Sequence, residues 1–204
     1  MTRLSIALLS LLFFVMGARA QKIDFTPIVD KYWSHGAEYS TVSFKDDKRT
    51  VTMEVPRKWT CRGDAGRLRF LPPDENFSEG IVEAAPPMRS RVFDEATVKA
   101  LEAQALSSVP AGSQGVTPIS RMENSVILNN QDLSYEFVVS YQTLGQAFQR
   151  SVIFVNCPDA QLIFRFTAPK AVFANLNNNF NRTVSSWRMT EPAPVGAGPV
   201  TASK

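Results

Sequence analysis

From Leu133 to Gln142 the chain alternates. Leu133, Tyr135, Phe137, Val139 and Tyr141 fall on one side, and Ser134, Glu136, Val138, Ser140 and Gln142 on the other. Such period-two patterning reads as a strand with one face in the core and one facing water. Gly145-Gln146 turns the chain into a second apolar run, Phe148 to Val155. Cys157-Pro158-Asp159 turns it again into a third, Leu162 to Phe166. Three strands joined by such short turns make an antiparallel meander. The period then changes. Val172, Phe173, Leu176, Phe180, Val184 and Trp187 recur at helical spacing and form one apolar stripe. Thr167 is placed to cap this helix, and Pro169 suits its first turn. Asn177, Asn178, Asn179 and Asn181 fill much of the remaining surface. Asn is a mediocre helix former, so packing across the meander must hold the helix in place.

The first half carries shorter elements. Tyr39 to Phe44 and Thr50 to Val55 read as strands around an Asp46-Asp47-Lys48 turn. Pro56 ends the second strand. Gly63 to Gly66 is turn chemistry, and Arg67 to Leu71 is a third strand. Gly80 to Pro87 is a fourth, stopped by two prolines. Asp94 is a good N-cap for a helix that buries Val98, Leu101, Ala105 and Val109, and Pro110 and Gly112 end it. Pro118 to Leu128 reads as another strand, followed by a turn at Asn129 to Asp132. The expected class is α+β: an antiparallel sheet of about six to seven strands flanked by helices, an α/β/α sandwich.

Both ends fall outside this domain. Arg3, the apolar run Ser5 to Met16, and Ala18-Arg19-Ala20 have the order of a secretory signal peptide, residues 1–20, with cleavage before Gln21. The apolar run is shorter than the roughly 20 residues that span a bilayer, so no transmembrane anchor is expected after cleavage. Thr190 to Lys204, rich in Pro, Gly and Ala, reads as a disordered tail. Between them, residues 21–189 form a single domain able to bury its own core. The signal also carries charge. Removing Arg3 and Arg19 leaves 20 basic residues against 19 acidic ones, a net of +1. That balance gives no support to a nucleic-acid partner.

Four segments carry a resemblance: "VPRKW" (Val55 to Trp59), "LSYEFVVSY" (Leu133 to Tyr141), "LIFRFTAP" (Leu162 to Pro169) and "FNRTVSSW" (Phe180 to Trp187). Their order and spacing resemble the PsbP-like fold, shared by the extrinsic PsbP subunit of photosystem II, the Ran-binding Mog family and bacterial secreted proteins. The resemblance spans most of the domain but leaves Gln21 to Glu38 uncovered. It implies a non-enzymatic binding or assembly factor. None of the four segments is a catalytic signature.

The chemistry-bearing residues are few. His35 is the only histidine, and no G-x-S-x-G accompanies it, so a Ser-His or Cys-His nucleophile has no base in a recognisable setting. One His and two Cys cannot close a zinc site without carboxylates, and neither Asp46-Asp47 nor Asp74-Glu75 sits in a calcium-loop pattern. No phosphate-cradling glycine loop occurs, and no cofactor is expected. Arg57, Lys58, Arg62, Arg67 and Arg69 lie within 13 residues and are the candidate anion-binding patch. Arg67 and Arg69 also alternate with Leu68 and Phe70, as a solvated strand face would.

Cys61 and Cys157 are the only cysteines. An even count in an exported chain favours a disulfide. Closing so long a loop would stabilise by roughly 4–5 kcal/mol before strain. Two buried thiols, or a reactive Cys157, are the alternatives. The expectation is therefore an exported, secreted or periplasmic, non-enzymatic accessory protein that binds a protein or envelope component. The competing possibility is a small-ligand carrier or enzyme that uses a cleft between sheet and helix. The 14 Phe and 3 Trp make an apolar pocket possible. A cleft that gathers Arg or carboxylate side chains separates the two.

Overall fold

The computed structural model describes residues 23–47, 49–88, 92–128 and 132–191. Residues 1–20, expected from the sequence to be a signal, and the chain beyond residue 191 lie outside them. In chain order the elements are β1 (Ile23–Ser34), β2 (Ala37–Asp46), β3 (Arg49–Val55), β4 (Thr60–Asp64), β5 (Arg67–Leu71), β6 (Glu79–Ala85), α1 (Glu95–Ser107), β7 (Gln114–Glu123), β8 (Ser134–Thr143), β9 (Gln146–Asn156), β10 (Gln161–Pro169), α2 (Lys170–Ser185) and β11 (Arg188–Thr190).

The alternating segment forms β8, and the meander β8–β9–β10 is antiparallel throughout. It is the centre of a seven-stranded sheet ordered β4-β5-β6-β10-β9-β8-β7. This sheet has the size the sequence suggests. A second sheet of four strands, β1-β2-β3-β11, is an addition to the expected single sheet. Its edge strand β1 comes from the stretch that the sequence patterns leave uncovered.

Each face of the large sheet has its own cover. Phe137, Val139, Val152, Phe154 and Ile163 point toward Val98, Leu101 and Ala105 of α1. Asp94 starts α1, its carboxylate accepting from the Thr97 N–H at 2.7 Å. The opposite face carries Leu68, Phe70, Val82, Leu162, Phe164 and Phe166. It packs on Phe173, Leu176, Phe180 and Val184 of α2 and on Val42, Phe44, Val51 and Met53 of the small sheet. The layers are therefore α1, the seven-stranded sheet, and then α2 beside the small sheet. Trp187 joins the last two, edge-on to both Phe44 (5.5 Å) and Phe164 (5.8 Å). Burying each such aromatic stabilises by roughly 2–3 kcal/mol.

One glycine is required by this packing. Gly80 of β6 lies directly beneath Phe180, and a Cβ at that position would come within 2.3 Å of the ring. Phe180 is tilted against Phe166 (5.4 Å) and edge-on to Phe70 (5.9 Å). The missing side chain is what seats α2 on the sheet.

Several boundaries differ from the sequence expectation, each for a local reason. Thr167 does not cap α2: it lies inside β10, and α2 starts from Pro169 with no side-chain cap. Gly63 is paired in β4 with Leu68 and does not belong to the turn. β7 begins at Gln114, earlier than Pro118, and it ends at Glu123. As an edge strand with two register shifts, it accommodates Pro118 despite the missing N–H. Thr190, read as the start of the tail, is the last residue of β11 and pairs with Thr50.

Candidate functional site

The expected Cys61–Cys157 disulfide is not formed. The strand order explains why. Cys61 on β4 pairs with Phe70, whose row continues through Gly80 and Phe166 to Ser151. Cys157 lies past the end of β9, where its N–H donates to the Ala160 carbonyl. Four strand-to-strand steps and six residues along the strand separate them, roughly 25 Å at the spacings of a sheet. A disulfide spans at most about 7 Å between Cα atoms. Burial pushes the Cys61 thiol up to about 12. At pH 7 only about one molecule in 100,000 would carry the thiolate, so Cys61 is a poor nucleophile.

The five basic residues do not converge. Arg57 and Lys58 sit in the turn closed by the Trp59 N–H and the Pro56 carbonyl (2.9 Å), with Lys58 at φ 68°. They border a hollow of about 360 Å3 beside Lys31 and Glu38. Arg62, Arg67 and Arg69 lie on the α1 side of the large sheet, and acids are interleaved with them. Arg67 stands across from Asp64 and Glu83 in the ladder. Arg69 grips Glu79 through Nε (3.0 Å) and Nη2 (2.5 Å). Acids and arginines are mixed on this sheet face: Glu79 pairs with Arg69 and Glu83 with Arg165, while Arg62 and Arg67 form no ion pair among the described residues.

Arg69 does border the most developed cavity described, about 580 Å3 on the α1 side of the large sheet. Its floor is strand: Tyr141 of β8, Phe148 and Arg150 of β9, and Thr167 of β10. The β5–β6 loop supplies Pro72, Glu75, Phe77 and Ser78 as a wall. Pro110 after α1 and Leu144 in the β8–β9 turn complete the rim. Tyr141 and Phe148 stack at 5.7 Å, and Phe77 stands edge-on to Phe148 at 6.5 Å. Phe77 and Leu144 are both largely exposed.

Arg150 is the residue that sequence reasoning missed. It shares the inward face of β9 with Phe148, Val152 and Phe154, a position that would ordinarily be apolar. A charge at a core-facing step of an apolar run was the available signal. Its Nε donates to Thr167 Oγ1 (2.8 Å), and Nη1 donates to the Ser108 carbonyl at the end of α1. Its guanidinium lies 5.8 Å from the centre of the Tyr141 ring. No carboxylate among the described residues forms an ion pair with it. Desolvation lowers its pKa, countered by Tyr141 and Glu79. Desolvation likewise raises that of Tyr141.

A second feature lies on the small sheet. β3 pairs with β2 only from Ser40 onward, so the far end of the β1–β2 ribbon extends past its neighbour. Tyr32, Trp33 and Tyr39 are exposed there, Trp33 at 74%, and Ile28 and Val29 are exposed farther along β1, where β2 is already paired with β3. Tyr32 stacks on Tyr39 at 5.6 Å, and Lys31 pairs with Glu38 at 2.8 Å. His35 occupies the turn at φ 48°, its Nδ1 2.9 Å from Ser34 Oγ. Among the described residues, no group of three His, Cys, Asp or Glu side chains could hold a metal ion. None of the helices there is long and apolar enough to cross a membrane.

With this geometry in hand, the chain can be set beside known structures. Solved structures similar to it include the Ran-binding protein Mog1p of Saccharomyces cerevisiae, at 11% identity and TM-score 0.46, covering 80% of this chain and 95% of that one. Cyanobacterial PsbP of Synechocystis sp. PCC 6803 matches at 9% identity and TM-score 0.45, covering 79% and 92%. LpqN of Mycobacterium tuberculosis, described as involved in cell envelope biogenesis, matches at 13% identity and TM-score 0.44, covering 80% and 91%. These neighbours belong to the PsbP/Mog1 fold family. That is the resemblance carried by the sequence. At such identities and TM-scores the neighbours carry no inference about what this chain binds. No protein-family profile and no curated protein matches it.

Proposed function

We propose that this chain is an exported, non-enzymatic accessory protein that docks a protein partner through its β1–β2 arm. The supporting observation is the exposure of five apolar residues on a two-stranded ribbon, with Trp33 at its tip. Solvent-exposed aromatic clusters of this kind mark interaction sites, and Trp and Tyr dominate the energetics of protein interfaces. The ribbon is also pre-organised. The Tyr32–Tyr39 stack and the Lys31–Glu38 pair brace it from strand to strand, which lowers the ordering cost of binding. Beyond Phe25, which lies against Gly63 of β4, the edge of β1 away from β2 is unpaired within its sheet, so its outer half can accept a partner strand. Export rests on the signal-like residues 1–20.

The test is site-specific photocrosslinking in the source cell. A photoreactive residue at position 33 should give one discrete adduct, and Tyr32→Ala combined with Tyr39→Ala should abolish it while the domain stays folded. Adducts that form equally well from a position on β7, and survive the double substitution, would move the docking surface away from the arm.

A further inference from the structure

The cavity floored by Arg150 is independent of the arm and lies on the other side of the large sheet. We infer that it binds a small organic carboxylate with an apolar, flat body. Four ionisable side chains of fixed sign border the space: Arg69, Glu75, Glu79 and Arg150. Arg69 and Glu79 neutralise one another through a two-point contact. Arg150 is held by neutral groups only, the Ser108 carbonyl and the Thr167 hydroxyl, over the face of Tyr141. A desolvated guanidinium that forms no direct ion pair, with Glu79 acting on it only at a distance and already gripped by Arg69, can take an anion, since charge-assisted pairing is strongest where water is excluded.

The walls then select among anions. Tyr141, Phe148 and Phe77 offer ring faces and edges, and Pro72, Pro110 and Leu144 add an apolar rim. A volume of about 580 Å3 falls within the range of drug-sized ligand sites, roughly 300–1,000 Å3. Glu75 borders the same space, and Glu79 stands beside it. Two nearby carboxylates disfavour a dianion such as a phosphate monoester, because like charges in a desolvated space repel strongly. A monoanion satisfies Arg150 without that penalty. The Ser78 hydroxyl, buried and without a hydrogen-bond partner, belongs to the same wall and remains available to a ligand that reaches the loop.

The test uses the full mature chain and calorimetric titration with 1-naphthylacetate. Its comparators are the neutral 2-(1-naphthyl)ethanol and the dianion 1-naphthyl phosphate. Naphthylacetate should bind at least about tenfold more tightly than either comparator, the difference that one desolvated charge-assisted contact makes. Arg150→Met should erase that preference, weakening naphthylacetate by at least about tenfold more than it changes the alcohol. Because Arg150 also ties α1 to β10, a second variant guards against misfolding. Leu144→Glu lies in an exposed turn at the rim; it removes the same apolar contact from both ligands but adds a negative charge, so it should weaken naphthylacetate several-fold more than the alcohol. Three results overturn the inference: no binding of naphthylacetate to the wild type, equal affinity for acid and alcohol, or tighter binding of the phosphate.

Discussion

Gly80→Ala is the most informative single perturbation of this fold. The new methyl carbon would lie 2.3, 2.6 and 3.0 Å from three ring carbons of Phe180. Ordinary carbon–carbon contacts are about 3.5–4.0 Å, so the ring must retreat by more than ~1 Å. It has little room to do so. Phe180 is fully buried, with Phe166 and Phe70 beside it and helix α2 behind it. Overpacking of this kind typically costs ~1–3 kcal/mol. Replacing glycine favours folding by only ~0.4–1 kcal/mol through the unfolded chain, so the steric effect wins. We expect a net loss of ~2 kcal/mol and a fall in Tm of ~4–8 °C for a domain of this size. Urea unfolding followed by tryptophan fluorescence measures it, since Trp59 and Trp187 are both buried. Phe180→Leu alone removes packing and is destabilising. In the Gly80→Ala background, however, the added methyl fills the vacated space. The pair should therefore be more stable than the sum of the singles by ~1 kcal/mol or more. A Gly80→Ala protein within ~0.5 kcal/mol of wild type, or strictly additive substitutions, would refute the reasoning.

Three other outcomes follow from single contacts. The intact mass of the purified protein should correspond to two thiols, with both cysteines alkylated on denaturation without reductant. A mass two hydrogens lower would mean that a bridge forms despite the strand order. Arg49→Ala removes the guanidinium held 2.7 Å from the buried Asp46 carboxylate and should cost ~1–3 kcal/mol in chemical denaturation. No change would show that Asp46 does not need this partner. Asp94→Ala should lower Tm at neutral pH, because hydrogen bonds from Thr97 hold the Asp94 carboxyl below its ordinary value. A depressed folded-state pKa stabilises above the unfolded value and is lost as pH falls through the folded one. The gap between wild type and variant should therefore close as the solution is acidified below about pH 4. A gap independent of pH would assign the effect to something other than the charged cap.

How much of this was legible in the sequence depends on the kind of signal. β8 could be read because its alternation is a property of neighbouring residues, and α2 because its stripe repeats every turn. β1 could not. A register shift between Asp24 and Ile28 breaks the alternation that starts with Ile23 and Phe25, and its outer half has no core to face. The cysteines show a different limit. Their count and separation say nothing about strand order, and the order β4-β5-β6-β10-β9 is what keeps them apart. The basic cluster misled because nearness along the chain is not nearness in charge. Glu79 and Glu83 come from a separate strand and stand among those arginines only in the folded sheet. Arg150, buried and without a direct ion pair among the described residues, lies 81 residues after Arg69 and was masked by the apolar run around it.

The small sheet has a consequence for how this chain comes into being. Its first three strands are among the earliest residues of the domain, but its fourth, β11, and the Trp187 that fills its centre come last. Contacts so distant along the chain form late and slowly. Until β11 and Trp187 are available, Val42, Phe44, Val51 and Met53 lack part of their cover. Pulse proteolysis of a chain stopped after Ser185 should find β1–β3 fully cleavable. The small sheet is thus sealed by the last strand of the domain to be made, so its closure reports completion of the chain.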